Sequence, residues 1–264
     1  MPLARLGDRS LSFRRGGRGE PLLLIQGMAG HVGMWGEPLL AALEHDFDVL
    51  AYDHRGIGES SEVPGAFTIA DLADDAAALM DALGWGSAHV FGISMGGMVA
   101  QELVLCFPER VRRLVLGCTY AGGSGAQIVA PGPLRIFEAM QTGDLDLAVR
   151  AGFEANVSGE FAADPAHYET FKQAVLAERV PVPLVLAQAQ ACFAHDASAR
   201  LGTVTAPTLV LHGTADQMVL YPNAEHVASL IPGARLHTFP GAGHLFYWEQ
   251  PDRTAALLRE HLVG

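Results

Sequence analysis

Cysteine is scarce. The 264 residues hold three, at positions 106, 118 and 192, and none belongs to a C-x-x-C pair. That excludes a disulfide-stapled scaffold, and the odd, dispersed set reads as free thiols of a cytoplasmic protein. Charge is also low, at 17% of residues, where an average soluble domain carries about 25%. Basic residues are in deficit, 17 against 29 acidic, for a formal net charge of −12. Phosphate binding needs a basic face, so nucleic acid is not an expected partner. No secretory signal is evident, because Met1–Arg15 holds four arginines and no long apolar run. The longest uncharged stretch, Leu114–Leu134, contains Gly117, Gly122, Gly123, Gly125, Pro131, Gly132 and Pro133. A lipid-exposed helix would not carry them so densely, so no membrane span is expected. Histidine pairs at i,i+3 or i,i+4 and the H-E-x-x-H motif are missing. A catalytic zinc site therefore has no support, and no metal or cofactor is expected.

What is abundant is apolar side chain, half of all residues. Disordered chains are poor in these, so a compact protein with a large core follows. The apolar residues fall in short continuous runs: Leu22–Gln26, Phe47–Tyr52, His89–Gly92, Arg113–Gly117, Thr208–His212 and, more weakly, Leu236–Phe239. Continuous rather than alternating hydrophobicity suits parallel strands buried on both faces. Leu3–Leu6 and Leu11–Arg14 alternate more, as an antiparallel edge hairpin turned at Gly7-Asp8 would. Helical spacing occupies Thr68–Leu83, Met95–Phe107, Asn223–Leu230 and Arg253–Leu262. Thr68 with Asp71 signals a capping box and Gly84 a C-terminal stop. Strands alternating with helices predict an α/β fold, doubly wound.

About ninety residues between Gly117 and Thr208 break this rhythm. They read as helices Arg135–Gln141, Asp144–Asn156, Pro165–Arg179 and Pro183–Ala194. The expected division is a core of residues 1–121 and 198–264 with a helical cap, 122–197, inserted between them. Its hinges would be Gly122-Gly123-Ser124-Gly125 and Thr203–Pro207.

Gly92-Ile93-Ser94-Met95-Gly96 follows a strand and opens a helix. This is the context of a G-x-S-x-G nucleophile elbow. A serine must be thrust out of a sharp strand-to-helix turn for its oxygen to be reachable, and strand and helix then crowd the positions two before and two after it. Here the chain resembles the α/β-hydrolase family over nearly its whole length. Gln26–Gly30, Asp53–Ser60, Pro207–Asp216 and Gly241–His244 match family patterns as well. The resemblance implies an eight-stranded, mostly parallel sheet and a Ser…Asp…His order of catalytic residues.

Eleven histidines compete for the base. His244 sits in the Pro240–Gly243 loop after a strand, at the sheet edge where ligands collect, and it matches the family's histidine. His31 and His54 lie on loops that reach the site as lining. Asp216, after Thr208–His212, is the expected orienting acid, as in the family, with Asp196 a remote competitor. The family's other acid position, just after Arg113–Gly117, is empty, since no Asp or Glu occurs between Arg113 and Phe137. The resemblance places the oxyanion donors at the backbone N–H groups of Met28 and Met95. Gly27, Tyr120, Phe153, Phe193, Val219 and Leu245 are expected to line the substrate pocket. Asp53–Ser60 is expected to brace the loops near the elbow through Arg55.

The string from Gly92 to Glu102, with Pro108–Val111, is most similar to 3-oxoadipate enol-lactonase-like hydrolases. That implies an acyl-serine route to a small ester or lactone. Two other readings stay open: a small-molecule receptor on the same fold, and a cofactor-free perhydrolase. Enol-lactonase substrates carry a carboxylate and want a cation nearby, which Arg135, Arg150, Lys172, Arg179 or Arg200 could supply. Self-association is left open. A histidine base predicts a rate that rises through a pKa near the reference value of about 6.5.

Overall fold

The computed structural model describes residues 1–62 and 65–264. Eight strands form one sheet: β1 (Leu3–Leu6), β2 (Arg9–Gly17), β3 (Glu20–Ile25), β4 (Phe47–Tyr52), β5 (Ala88–Ile93), β6 (Val111–Gly117), β7 (Thr208–Gly213) and β8 (Arg235–Phe239). Their spatial order is β1-β2-β4-β3-β5-β6-β7-β8. The β1–β2 hairpin and the β2–β4 pair are antiparallel, and the other five pairings are parallel. Eleven helices accompany the strands among the described residues: α1 (Glu37–Glu44), α2 (Ile69–Ala82), α3 (Met95–Cys106), α4 (Pro131–Gln141), α5 (Leu145–Asn156), α6 (Gly159–Ala162), α7 (Pro165–Ala177), α8 (Val182–Ala194), α9 (Pro222–Leu230), α10 (Phe246–Glu249) and α11 (Pro251–Val263).

The continuous apolar runs are explained by two cores, one on each face of the sheet. Along β3, Leu23 and Ile25 join one core, while Leu22 and Leu24 join the other. The same alternation divides β4 (Leu50 and Tyr52 against Val49 and Ala51) and β6 (Leu114 and Leu116 against Val115). Helices α2, α3 and α9 close the first face, and α1 and α11 close the second. Both directions of each central strand are thus apolar, because neither meets water. No helix is long and apolar enough to cross a membrane.

Local signals act where they were expected. Thr68 caps α2 through a complete capping box: its side chain accepts from the Asp71 N–H and the Asp71 carboxylate accepts from the Thr68 N–H. Gly84 follows with a left-handed φ of +75°. Helices α4 and α11 begin four and two residues earlier than their apolar spacing suggests, at Pro131 and Pro251, while α7 begins at Pro165 as expected. Proline lacks the N–H that a first helical turn leaves unbonded anyway, so it opens a helix without cost there. Helices α1, α6 and α10 carry too few turns for a period to show in the sequence.

Helices α4 to α8 all lie between β6 and β7. An aromatic cluster holds several of them together: Phe153 of α5 packs on Phe161, Tyr168 and Phe171 with ring centroids 6.4, 5.6 and 5.4 Å apart. At their C-terminal end Arg200 grips Glu102 of α3 with two bonds of 2.8 and 2.5 Å. Burial alone would raise the Glu102 carboxyl, but His195 and Arg200 together pull it down to about 2.

Replacing Thr68 with Ala removes one side of the capping box and should cost about 1 kcal/mol. For a chain of this size that corresponds to a fall in Tm of about 2–4 °C, measurable by thermal melting.

Candidate active site

Ser94 is the residue on which β5 turns into α3, with φ 53° and ψ −122°. This left-handed backbone is costly for a residue with a side chain, and the surroundings must hold it in place. They do so by close approach. A Cβ on Gly92 would stand 2.1 Å from the Gly96 carbonyl oxygen, and one on Gly96 would stand 2.0 Å from the Ile25 oxygen of β3. Only glycine allows strand and helix to come this near. The Ser94 N–H donates to the Gly117 carbonyl, and Thr119 Oγ1 donates to the Ser94 carbonyl, so β6 fixes the turn from the other side.

His244 and Asp216 sit on the loops after β8 and β7, both buried. His244 Nδ1 lies 2.7 Å from Asp216 Oδ2. The other carboxylate oxygen, Oδ1, accepts the backbone N–H groups of Met218 and Val219 at 2.7 and 2.9 Å. Burial would push the Asp216 carboxyl up, but the adjacent imidazoles outweigh it and hold it well below the usual carboxylate range. For His244 burial would favour the neutral ring, yet the Asp216 charge wins and raises it well above the ordinary histidine value. The sequence-based expectation of about 6.5 is therefore corrected upward by the buried carboxylate.

Cys118, the first residue after β6, occupies the acid position that the sequence leaves without a carboxylate. It is buried, and its side chain contacts both the His244 ring and the backbone at Ser94. Burial pushes its thiol up, so it stays protonated. Cys118, Asp216 and His244 bring one ligand-type atom each within 4.8 Å of one another. This is a metal-binding set by residue type, but the Asp216 oxygens and His244 Nδ1 already share protons.

The Gln26–Gly30 loop lies against the serine: a Cβ on Gly27 would stand 3.1 Å from Ser94 Cβ. Among the described residues, neither the Met28 nor the Met95 backbone N–H donates to another protein group. Two donors thus remain free beside Ser94, as an oxyanion hole requires.

The profile of the α/β hydrolase fold family matches residues 20–251. The chain belongs to the α/β-hydrolase fold family. Over all of its length it is 31% identical to "Putative carbamate hydrolase RutD" of Azorhizobium caulinodans, of which it covers 97%. The enol-lactonase of Burkholderia xenovorans LB400 superposes with a TM-score of 0.86 at 25% identity, both chains being covered completely. An esterase from Rhodococcus sp. ECU1013 gives 0.82 at 28% identity, covering 96% of this chain and 94% of the esterase. The protein is a hydrolase of this family.

The remaining expected site residues fare unevenly. Tyr120 is buried and donates its hydroxyl to the Cys192 carbonyl of α8. Val219 and Leu245 are buried on the loops that carry Asp216 and His244. Phe153 is buried inside the aromatic cluster, and Phe193 is 67% exposed at the end of α8. A cavity of about 470 Å³, bordered by Trp35, Phe161, His167, Tyr247 and Trp248, includes none of the expected pocket residues and none of Ser94, Asp216 and His244. The role expected of Arg55 is also corrected. Its guanidinium turns to Asp75 and the Asp71 carbonyl of α2, which holds the Asp53–Ser60 loop to that helix. Bracing near the elbow falls to its neighbours: His54 Nε2 reaches the Gln26 carbonyl, and Asp53 Oδ1 accepts from the Val32 N–H. His31 ties the same region to α7 through the Ala174 carbonyl.

Sequence reasoning passed over two residues at the site. Cys118 was weighed only as a thiol, and His212 only as the end of a strand. The available signal for His212 was a histidine closing an otherwise apolar buried run, four residues before an aspartate.

A histidine base must be neutral to take a serine proton. Since Asp216 raises His244, kcat/KM should rise with pH through a midpoint clearly above about 6.5. A pH–rate profile on any turned-over ester checks this, and a limb centred below that value contradicts it.

Proposed function

We propose that this hydrolase cleaves small, uncharged carboxylic esters or lactones by way of an acyl-Ser94 intermediate. His244 takes the serine proton as Ser94 Oγ attacks the carbonyl carbon, then returns it to the leaving alkoxide. Asp216 holds the imidazole and offsets the charge it acquires. The free N–H groups of Met28 and Met95 receive the developing oxyanion. Water, deprotonated by His244, then attacks the acyl carbon and releases Ser94.

The observation that carries this reading is the joint geometry: a strained serine, free N–H groups beside it, and a buried Asp–His pair reaching the same loop cluster. An ester or lactone suits it, because the leaving oxygen needs only the one proton His244 returns. The lactonase and esterase among the structural relatives support the same class.

The cations explain why the substrate is proposed to be uncharged. Arg200 is held by Glu102, and Lys172 pairs with Asp146. Arg150 lies over the Tyr168 ring at 3.9 Å, and Arg135 bonds Gln217 Oε1 at 2.7 Å. Arg179 is exposed. None of the five is seen directed at Ser94, so a substrate carboxylate would lack a ready partner, in a chain whose net charge is already −12.

Ser94→Ala should lower turnover by up to about 10⁶-fold, as for other triad serines. A fluorophosphonate should label Ser94 and nothing else, read by peptide mass spectrometry. Met28→Pro deletes one oxyanion donor and should cost about 10²–10³-fold in kcat. The substrate class is tested with p-nitrophenyl esters of graded length beside neutral and carboxylate-bearing lactones. Preference for the carboxylate-bearing members, or modification without repeated turnover, would overturn it.

A further inference from the structure

The acid of the triad has a second imidazole. His212, the penultimate residue of β7, is fully buried, and its Nε2 lies 3.0 Å from Asp216 Oδ2. That is the same oxygen that His244 Nδ1 approaches at 2.7 Å. His212 Nε2 also lies 2.8 Å from the Val219 carbonyl. Two acceptors face one nitrogen, so that nitrogen carries the hydrogen. The opposite nitrogen, Nδ1, is buried without a partner. A second proton there would be a buried N–H with no acceptor, a costly arrangement. His212 is therefore held as the Nε2–H form, a donor only.

The count around Asp216 then closes. Oδ1 accepts two backbone N–H groups, from Met218 and Val219, and Oδ2 accepts two imidazole N–H groups. An ionised carboxylate offers about four acceptor directions, and all are filled. The carboxylate cannot rotate without breaking one of them. The Val219 segment is also tied down twice, by its N–H to Asp216 and its carbonyl to His212.

We propose that His212 is a positioning residue that fixes the Asp216 carboxylate and shares its Oδ2 charge with His244, setting how strongly the acid acts on the base. This rests on the triad reading above. A neutral donor on Oδ2 draws off part of the negative charge that His244 would otherwise face alone. Without it, Asp216 would favour the imidazolium more strongly. The base would be protonated over a wider pH range, and fewer molecules would be competent at neutral pH. The other titratable groups facing this pair are Cys118, which contacts His244 from β6, and Tyr221, whose ring meets His212 edge-on at 5.9 Å. Both are neutral near pH 7, since burial raises each of them.

The test compares His212→Gln, His212→Asn and His212→Leu in the full chain. Glutamine places an amide N–H near the position of Nε2, asparagine stops short of it, and leucine has none. The readout is the proton resonance of the His244 Nδ1–H, titrated by NMR, together with the pH profile of kcat/KM. Leucine and asparagine should each raise the His244 midpoint by about one pH unit and lower kcat/KM at pH 7 by about tenfold. Glutamine should restore both. If leucine prevents folding, the asparagine–glutamine comparison decides. An unchanged midpoint in a folded leucine or asparagine variant overturns the proposal, as does a glutamine variant that behaves like them. The NMR titration needs no turnover, so absence of esterase activity in the unaltered protein would count against the proposed function and leave this inference to be judged on its own readout.

Discussion

The turn at Ser94 is the constraint on which the rest depends. A residue with a side chain is held at a positive φ, and such a conformation persists only where its neighbours leave no alternative. Here the restraint is contact between backbones: α3 is pressed against the end of β3 so closely that Gly96 has no room for a Cβ. That closeness needs β5 to be central in a sheet, flanked by β3 and β6. A central strand is buried on both faces, and hence apolar at every position. The composition, half apolar and low in charge, is thus the chemical cost of building one half-buried serine on a strained turn.

The same logic explains how the insertion between β6 and β7 serves the site. Each loop around Ser94 is hydrogen-bonded to it. The Ala29 N–H reaches Gln188 of α8, the Tyr120 hydroxyl reaches the Cys192 carbonyl, the Gln217 carbonyl accepts from Gly132 of α4, and the Leu245 N–H reaches the Asn156 carbonyl at the end of α5. These loops are irregular and could not order themselves through a ladder of their own. Their spare backbone groups are satisfied by the helices above them, which answers where buried loop polarity goes in a protein with few charges. The loops that carry Met28, Asp216 and His244 are therefore positioned from two sides, the sheet below and the helices above.

Much of this was legible in the sequence, for identifiable reasons. The continuous run Phe47–Tyr52 coincides with β4 and the alternating run Leu3–Leu6 with β1, because burial on two faces or on one dictates each residue there. Ser94 was legible because the steric demand for Gly92 and Gly96 is local and leaves a mark at fixed spacing. Pocket walls were not. Phe153 and Phe193 are both aromatic residues on helices, and nothing in their spacing distinguishes the one buried among Phe161, Tyr168 and Phe171 from the one left exposed. That difference is decided by how the helices pack, which is not written at any single position. Arg55 failed for a related reason: its partner Asp75 lies twenty residues away on α2, and a motif read locally cannot show which of several acids a guanidinium will find.

Electrostatically, the site inverts the character of the whole chain. The protein is strongly acidic, yet Asp216 is a carboxylate surrounded by donors, and His244 is the group whose charge that carboxylate favours. In so dry a setting the pair behaves as a unit, and the position of the proton between them depends on every other hydrogen bond Asp216 makes. Cys118 matters to this balance. Where a second carboxylate would stand in a relative that uses that position, a protonated thiol adds no negative charge beside His244. The imidazole therefore answers to one acid, held by four donors, and its basicity is set by how those donors divide the charge of Asp216.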